Sequence, residues 1–340
     1  MSIIDFDTGS DPLWRDVPLD HVLETSALGI PLRVESNSRY VTHIAAEAHG
    51  SSPATGHGEP PLAGVRLRVV VEPGISEVAA ATPVVWRFPD RDHAIVHAAG
   101  LMASIDLARG EATAYVHDSF ARRSTHFRYT VLEGLVLVLL ARHDRHAVHA
   151  AALRSGDNLL LLHGPTGSGK STLCYLAHQA GIEVLAEDVV WVQREPELRI
   201  WGFGERVHLL EEARESFPEL REHDVIRSSA DGERKLAIGI PSPRAGEGLP
   251  FGRRARVCLL SRNGQHVSRT TVSPEEIQRR LLDVRETAFD MTPERSPLVA
   301  KALAADGGWC LNLSSSPEDA VPHLRAMLEQ VASRPAARDA

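Results

Sequence analysis

Two kinds of hydrophobic pattern divide the chain at about residue 140. Before it, apolar and polar residues alternate in short segments such as 65–71 (VRLRVVV), which is typical of strands with one buried face. After it, continuous apolar runs such as 159–162 (LLLL) predict strands that are covered on both faces. We therefore expect a smaller α+β domain over residues 1–140, an α/β domain over residues 141–332 and a flexible tail over residues 333–340.

The patterns also predict individual elements. In the first domain the predicted strands are 32–35, 65–71, 84–88, 94–98 and 112–117, with a mobile loop at 49–61, a hairpin turn at 89–92 and an apolar helix at 129–143. In the second domain the predicted strands are 159–163, 182–186, 189–192, 257–260, 267–272 and 309–313. The predicted helices there are 171–180, 211–216 and 296–305, a flexible loop covers 223–233, and Ser-Pro-Glu patterns at Ser273 and Ser316 predict two further helix starts.

A glycine-rich segment follows the run of four leucines. Residues 164–171 (GPTGSGKS) match G-x-x-x-x-G-K-[ST], the pattern of phosphate-binding loops. Lys170 would contact the β- and γ-phosphates of ATP, and the Ser171 hydroxyl would be a ligand of Mg²⁺. The candidate nucleotide-binding residues are Gly164, Pro165, Thr166, Gly167, Ser168, Gly169, Lys170, Ser171 and Thr172. The alternative is an ordinary glycine-rich turn.

Two adjacent carboxylates, Glu187 and Asp188, end the next predicted strand. If that strand runs parallel to the one before the glycine-rich segment, both carboxylates lie beside the loop. One could then hold Mg²⁺ together with Ser171, and the other could accept the proton of an incoming hydroxyl. The alternative is a solvated acidic turn.

These segments together resemble the C-terminal catalytic domain of HPr serine kinase/phosphorylase. The resemblance consists of a histidine-containing strand at 149–153 (HAAAL), the loop at 164–172, one short helix, and a strand that ends in acidic residues at 185–188 (LAED). The chain is most similar to stand-alone HPr-kinase-like proteins, some of which are tailoring kinases for lasso-peptide precursors. The likeness covers about 150 to 190 residues of the C-terminal half.

The resemblance implies an α/β P-loop kinase domain that transfers phosphate from ATP to a serine or threonine hydroxyl. Asp188 or Glu187 would be the general base, the other would bind magnesium, and His149 would lie against the pair. The family usually has Asp-Asp here, so Asp188 keeps the family's residue type and is favoured as the base. Lys235 would be a transition-state cation, or else a surface lysine at the start of a strand. The arginine- and glycine-rich signature of the bifunctional enzymes is absent, so phosphorylase activity is not carried over.

The expected acceptor is a peptide or protein, for example a ribosomal natural-product precursor, and the N-terminal domain would recognise it or contact a partner protein. Two alternatives stay open: a P-loop ATPase module that regulates a partner, and a small-molecule kinase. An assembly of identical copies also stays open.

Composition excludes several other classes. The net charge of −8 and the pI of about 6.1 argue against a nucleic-acid-binding protein. We expect no membrane segment and no signal peptide, and three cysteines without metal-like spacing favour the reducing cytoplasm. His93 and His97 fall on a predicted strand, where about 13 Å would separate them, so we expect no shared metal ion.

Overall fold

The computed structural model describes residues 17–50, 64–72, 83–204, 206–222, 225–227, 234–240, 251–262, 265–283 and 293–333. The chain is a mixed α/β protein with several β-sheets, and it divides into two compact units, Met1–His143 and Asp144–Ala340. No helix within these described ranges is long and apolar enough to cross a membrane.

The described part of the first unit forms a seven-stranded sheet in the order β1-β2-β3-β7-β6-β5-β4. Its strands are β1 (His21–Ala27), β2 (Ile30–Ser36), β3 (Val65–Glu72), β4 (Val85–Arg87), β5 (His93–Ala98), β6 (Leu101–Asp106) and β7 (Glu111–His117). Its helices are α1 (Arg39–His49), α2 (Asp118–Ala121), α3 (Ser124–Phe127) and α4 (Gly134–Leu140), and a π-helical segment, Arg128–Glu133, precedes α4. β3 is parallel to both β2 and β7, and the other neighbours are antiparallel.

The alternating pattern is confirmed in this unit, because β2 and the first part of β3 bury every second residue. The hairpin turn is also confirmed: the Asp90 carboxylate accepts hydrogen bonds from the backbone N–H groups of Asp92 and His93 at 2.8 Å. His93 and His97 lie on β5 with exposed side chains, as expected for one face of a strand. Within the described residues no group of three or more metal-binding side chains occurs.

The predicted loop at 49–61 is wrong at its start. His49 is the last residue of α1 and is buried, with its Nε2 2.9 Å from the carbonyl oxygen of Leu132. This contact fixes the end of the helix in the core, which a local composition rule cannot foresee. Residues 51–61 of the predicted loop lie outside the described residues.

Within its described residues, the second unit contains three sheets, in the orders β11-β9-β10-β18-β20-β19, β17-β13-β12-β8 and β14-β16-β15. Its strands are β8 (His146–His149), β9 (Ala151–Ser155), β10 (Asn158–His163), β11 (Glu183–Ala186), β12 (Val189–Gln193), β13 (Arg199–Gly202), β14 (Arg206–Leu210), β15 (Val225–Arg227), β16 (Arg234–Gly239), β17 (Phe251–Gly252), β18 (Arg254–Ser261), β19 (Ser268–Val272) and β20 (Gly308–Asn312). Its helices are α5 (Lys170–Gln179), α6 (Ala213–Ser216), α7 (Pro274–Asp283), α8 (Ser296–Ala304) and α9 (Val321–Ala332).

The six-stranded sheet forms the centre of this unit, and β10 lies inside it between β9 and β18. Leu160 and Leu162 belong to a core cluster with residues of α5 and α9, whereas Leu159 and Leu161 belong to a second cluster with residues of α7 and α8. Helices therefore cover both faces of β10, which confirms the interpretation of its continuous apolar run.

Two helix predictions in this unit need correction at their starts. The segment predicted at 211–216 becomes helical only at Ala213, because the backbone N–H of Glu211 still bonds to the carbonyl oxygen of Arg234 at 3.2 Å. Ser316 does not cap the final helix: a 3₁₀ turn covers Pro317–Ala320, and α9 begins after it. The proline early in α9, Pro322, lacks an N–H, so it favours a new helix start there.

Other boundary predictions had mixed outcomes. The Ser273 hydroxyl accepts a hydrogen bond from the backbone N–H of Glu276 at 3.4 Å, as expected for a cap of α7. The loop predicted at 223–233 contains a short strand, β15, which pairs with β16, and the rest of that segment lies outside the described residues. Of the predicted tail, residues 334–340 also lie outside them.

Candidate active site

The glycine-rich loop connects the end of β10 to the start of α5, as the sequence predicted. Gly167 and Gly169 have φ values of +80° and +103°, a region that L-residues with side chains rarely adopt. A Cβ on Gly164 would lie 2.9 Å from the hydroxyl oxygen of Ser168. The loop therefore needs glycine at these three positions, twice for backbone conformation and once for a close contact.

The Lys170 side chain lies across this loop. Its Nζ donates hydrogen bonds to the carbonyl oxygens of Gly164 at 2.7 Å and Pro165 at 3.4 Å. Burial lowers the pKa of the ammonium group, and the negative charge of Asp188 opposes that shift. The lysine charge is thus held at the loop, where phosphate oxygens could replace the carbonyl oxygens as its acceptors.

The acidic pair lies at the same edge of the sheet as the loop. β10 and β11 are both antiparallel to β9, so β10 and β11 run parallel to each other with one strand between them. Their carboxyl ends consequently lie at one edge. This arrangement meets the condition under which the sequence placed Glu187 and Asp188 beside the loop.

Glu187 links the loop to a neighbouring sheet. Ser171 donates a hydrogen bond from its hydroxyl to Glu187 Oε1 at 2.6 Å, and His208 Nδ1 lies 2.8 Å from Glu187 Oε2. The Glu187 side chain is only 12% exposed. Both of its oxygens therefore have partners, and its carboxylate is fixed against the first turn of α5.

Asp188 has a different environment. Its side chain is 59% exposed, and its Oδ1 lies 3.3 Å from Nδ1 of His149. His149 is opposite Val189 in the antiparallel pair of β8 and β12, which explains why its imidazole reaches the residue before Val189. The resemblance implied that His149 lies against the acidic pair, and in the structure its Nδ1 lies beside Asp188.

The predicted histidine-containing strand at 149–153 is wrong as a single strand. β8 ends at His149 and belongs to the four-stranded sheet, whereas β9 starts at Ala151 and belongs to the six-stranded sheet. The chain makes the same change of sheet at the acidic pair, between β11 and β12. His149 and Asp188 meet because both crossings occur side by side.

A second histidine, His163, contacts the backbone at the end of β8 and in α7. His163, the last residue of β10, is 1% exposed, with its Nδ1 2.9 Å from the carbonyl oxygen of His149 and its Nε2 3.1 Å from that of Arg280 in α7. Burial lowers the pKa of His163, against the effect of these two carbonyl groups. The ring therefore ties β10 to β8 and α7 beneath the loop.

Lys235 lies on β16, the strand that pairs with β14. In that pair His208 is opposite Ala237 and Leu210 is opposite Lys235. Lys235 is therefore on the same side of the sheet as His208 and about 7 Å farther along the strand direction. Its role as a transition-state cation stays a prediction.

Sequence reasoning missed three features of this site. His208 gave no local signal, because its partner Glu187 is 21 positions away. Gly202 and Gly204 gave no signal of tertiary packing, but a Cβ on them would lie 2.3 Å from the carbonyl oxygen of Leu185 and 2.1 Å from that of Val184. Both glycines thus allow the end of β13 and the residues directly after it to pack against the backbone of β11, just before the acidic pair.

The third missed feature is the position of Arg262, which follows β18. A Cβ on Gly169 would lie 3.2 Å from Nη2 and 3.5 Å from Nε of Arg262. The guanidinium group therefore lies against the phosphate-binding loop. The available signal was its position directly after an apolar strand adjacent to β10, but strand order is not written in the local pattern.

The oxygen groups of this site fit a magnesium ion. Mg²⁺ prefers oxygen ligands and is usually held by one or two carboxylates together with substrate phosphates and waters. Ser171 and Glu187 present a hydroxyl and a carboxylate oxygen 2.6 Å apart, with Asp188 next in the chain. Since no cluster of three metal-binding side chains occurs among the described residues, substrate phosphates would have to complete such a site.

The chain matches no protein-family model and no curated protein sequence. What the site can do is therefore inferred from its residues and their geometry.

Proposed function

We propose that this protein is an ATP- and magnesium-dependent kinase of the HPr-kinase-like type, which phosphorylates a serine or threonine hydroxyl of a peptide or protein. The observation that supports this most strongly is the 2.6 Å hydrogen bond between Ser171 of the loop and Glu187. It joins a phosphate-binding motif to an acidic pair whose second member, Asp188, is exposed. A phosphoryl-transfer enzyme needs this combination of a phosphate cradle, a metal ligand and an accessible base.

The two carboxylates have different roles in this proposal. Ser171 and Glu187 would hold Mg²⁺, which would neutralise charge on the phosphates. Asp188 would accept the proton of the acceptor hydroxyl as its oxygen forms a bond to the γ-phosphorus of ATP. The bond between the γ-phosphorus and the bridging oxygen breaks, and ADP leaves with that oxygen.

Two other side chains support this transfer. His149, 3.3 Å from Asp188, would orient the carboxylate toward the acceptor. Lys170 would exchange its loop carbonyl partners for oxygens of the β- and γ-phosphates. The backbone N–H groups at the start of α5 would bind the same phosphates.

The acceptor we propose is a peptide or protein segment, for example a ribosomal natural-product precursor, that the N-terminal unit recognises. The enzyme would act in the cytoplasm, where free thiols such as those of Cys174 and Cys258 persist.

The test is transfer of labelled γ-phosphate from ATP to a library of serine- and threonine-containing peptides. We expect transfer by the unchanged protein and its loss in Lys170→Ala, because the variant lacks the charge that stabilises the transferring phosphoryl group. Lys301→Ala is the matched control, since Lys301 is an exposed lysine of α8. Unchanged turnover in Lys170→Ala would contradict the kinase proposal. Hydrolysis of ATP without transfer of phosphate to any hydroxyl would favour an ATPase module.

A further inference from the structure

An arginine outside the recognised motif lies beside the phosphate-binding loop. Leu259 of β18 is level with His163, the last residue of β10, and Arg262 comes three residues later, about 10 Å farther along the strand direction. This displacement carries Arg262 past the end of β10 and alongside the loop. Its Nη2 and Nε atoms lie 3.2 Å and 3.5 Å from the Cβ position of Gly169.

Arg262 has an exposed guanidinium group beside the loop. Among the residues that the structure describes, no hydrogen bond or ion pair to it is found. Many other arginines of the second unit have carboxylate partners, as Arg154 has Glu183 and Arg253 has Asp157. An exposed guanidinium group against a phosphate-binding loop is suited to bind an anion, because its fork of donors matches phosphate oxygens.

The position of Arg262 also indicates which phosphates it would reach. In the sheet order β11-β9-β10-β18, the acidic pair follows β11 on one side of the loop, and Arg262 follows β18 on the other. The γ-phosphate must lie toward the acidic pair, since the proposed base and metal ligand are there. The rest of the nucleotide then extends toward β18 and Arg262.

We propose that Arg262 is a second phosphate-binding cation of the nucleotide site, and that it contacts the phosphates shared by ADP and ATP rather than the γ-phosphate. This inference rests on the proposed function. It makes Arg262 a determinant of nucleotide affinity, whereas Lys170 serves both affinity and transfer.

The experiment compares the binding of Mg-ADP and Mg-ATP to the full chain by titration calorimetry. We expect Arg262→Ala to lower the affinity for both nucleotides by a similar factor, about 10- to 100-fold, as for a lost charge-assisted hydrogen bond. The KM for ATP in the transfer reaction should rise by a similar factor, because the lost contact binds phosphates that are present before transfer. Arg262→Lys should restore part of the affinity, because it keeps the charge without the planar fork. The control is Arg279→Ala, an arginine of α7 that pairs with Glu276 at the surface.

The outcomes separate this inference from the proposed function. If Arg262→Ala binds ADP like the unchanged protein while Lys170→Ala does not, the inference is wrong and the kinase proposal is untouched. A loss of turnover with unchanged ADP affinity would instead assign Arg262 to the γ-phosphate and overturn the inference. If the unchanged protein binds ADP but phosphorylates no hydroxyl, the kinase proposal fails and the role of Arg262 stands. An unchanged protein that binds neither nucleotide would overturn both.

Discussion

The hydroxyl of Ser171 donates a hydrogen bond to Oε1 of Glu187 at 2.6 Å, although the two residues are 16 positions apart in the chain. This contact joins the first turn of α5 to the end of β11. The two members of the acidic pair also differ in exposure, since the Glu187 side chain is 12% exposed and that of Asp188 is 59% exposed. The pair thus has one anchored and one accessible carboxylate.

The first prediction follows from this difference. Asp188→Asn should bind Mg-ATP normally and lose turnover by about 10²–10⁴-fold, because an amide cannot accept the hydroxyl proton. Glu187→Gln should instead weaken nucleotide binding and raise the magnesium concentration needed for half-maximal rate, because a metal ligand is weakened. Phosphate transfer and calorimetric ATP affinity, measured for each variant, check both expectations. Wild-type rates in both variants would mean that neither carboxylate takes part in the transfer, and the kinase assignment would fail.

The second prediction concerns His208, which lies 2.8 Å from Oε2 of Glu187. Replacing it with alanine should leave Glu187 less well oriented and raise the magnesium concentration for half-maximal activity by about 10-fold. His208→Asn, which keeps a donor near the carboxylate, should recover part of this loss. The control is His43→Ala, since the His43 side chain is 69% exposed and lies in the other unit. An unchanged magnesium dependence would show that His208 does not position Glu187.

The third prediction concerns the two glycines that contact β11. Gly202→Ala or Gly204→Ala should lower the free energy of unfolding by about 1–3 kcal/mol or more, because the added Cβ overlaps backbone oxygen atoms. Gly239→Ala in β16 is the matched control, since a Cβ there would meet nothing within 4 Å. Denaturant unfolding of the three variants checks this. Equal stability in all three would contradict the close packing.

The fourth prediction concerns the two units. A fragment that contains residues 144–340 should fold and bind ATP, because its sheets are formed from its own strands. It should lose phosphorylation of the natural acceptor if the N-terminal unit recognises that acceptor. Calorimetry and transfer assays on the fragment and the full chain check the two parts separately. Full activity of the fragment on the acceptor would refute the recognition role.

Local sequence was sufficient for elements whose contacts are close along the chain. The end of α5 is an example, because Gly181 adopts a φ of +76° and its N–H donates a hydrogen bond to the carbonyl oxygen of His178 at 2.9 Å. This is the ending expected of a helix that stops at glycine. The strand before the loop was likewise predictable, because four consecutive leucines must be covered on both faces. The position of Glu187 and Asp188 beside the loop could be predicted only on the condition that β10 and β11 are parallel.

Tertiary structure decided how these pieces act together. The sequence left open which acidic residue is anchored, and the packing of Ser171 and His208 around Glu187 answers that structural question. The tertiary structure also divides the histidine segment between two sheets at Ala150. It brings Arg262 next to the phosphate-binding loop. Hydrophobic periodicity determines which residues are buried, but it does not specify which strands become neighbours. Contacts between residues far apart in the chain depend on that strand order, so only the folded protein reveals them.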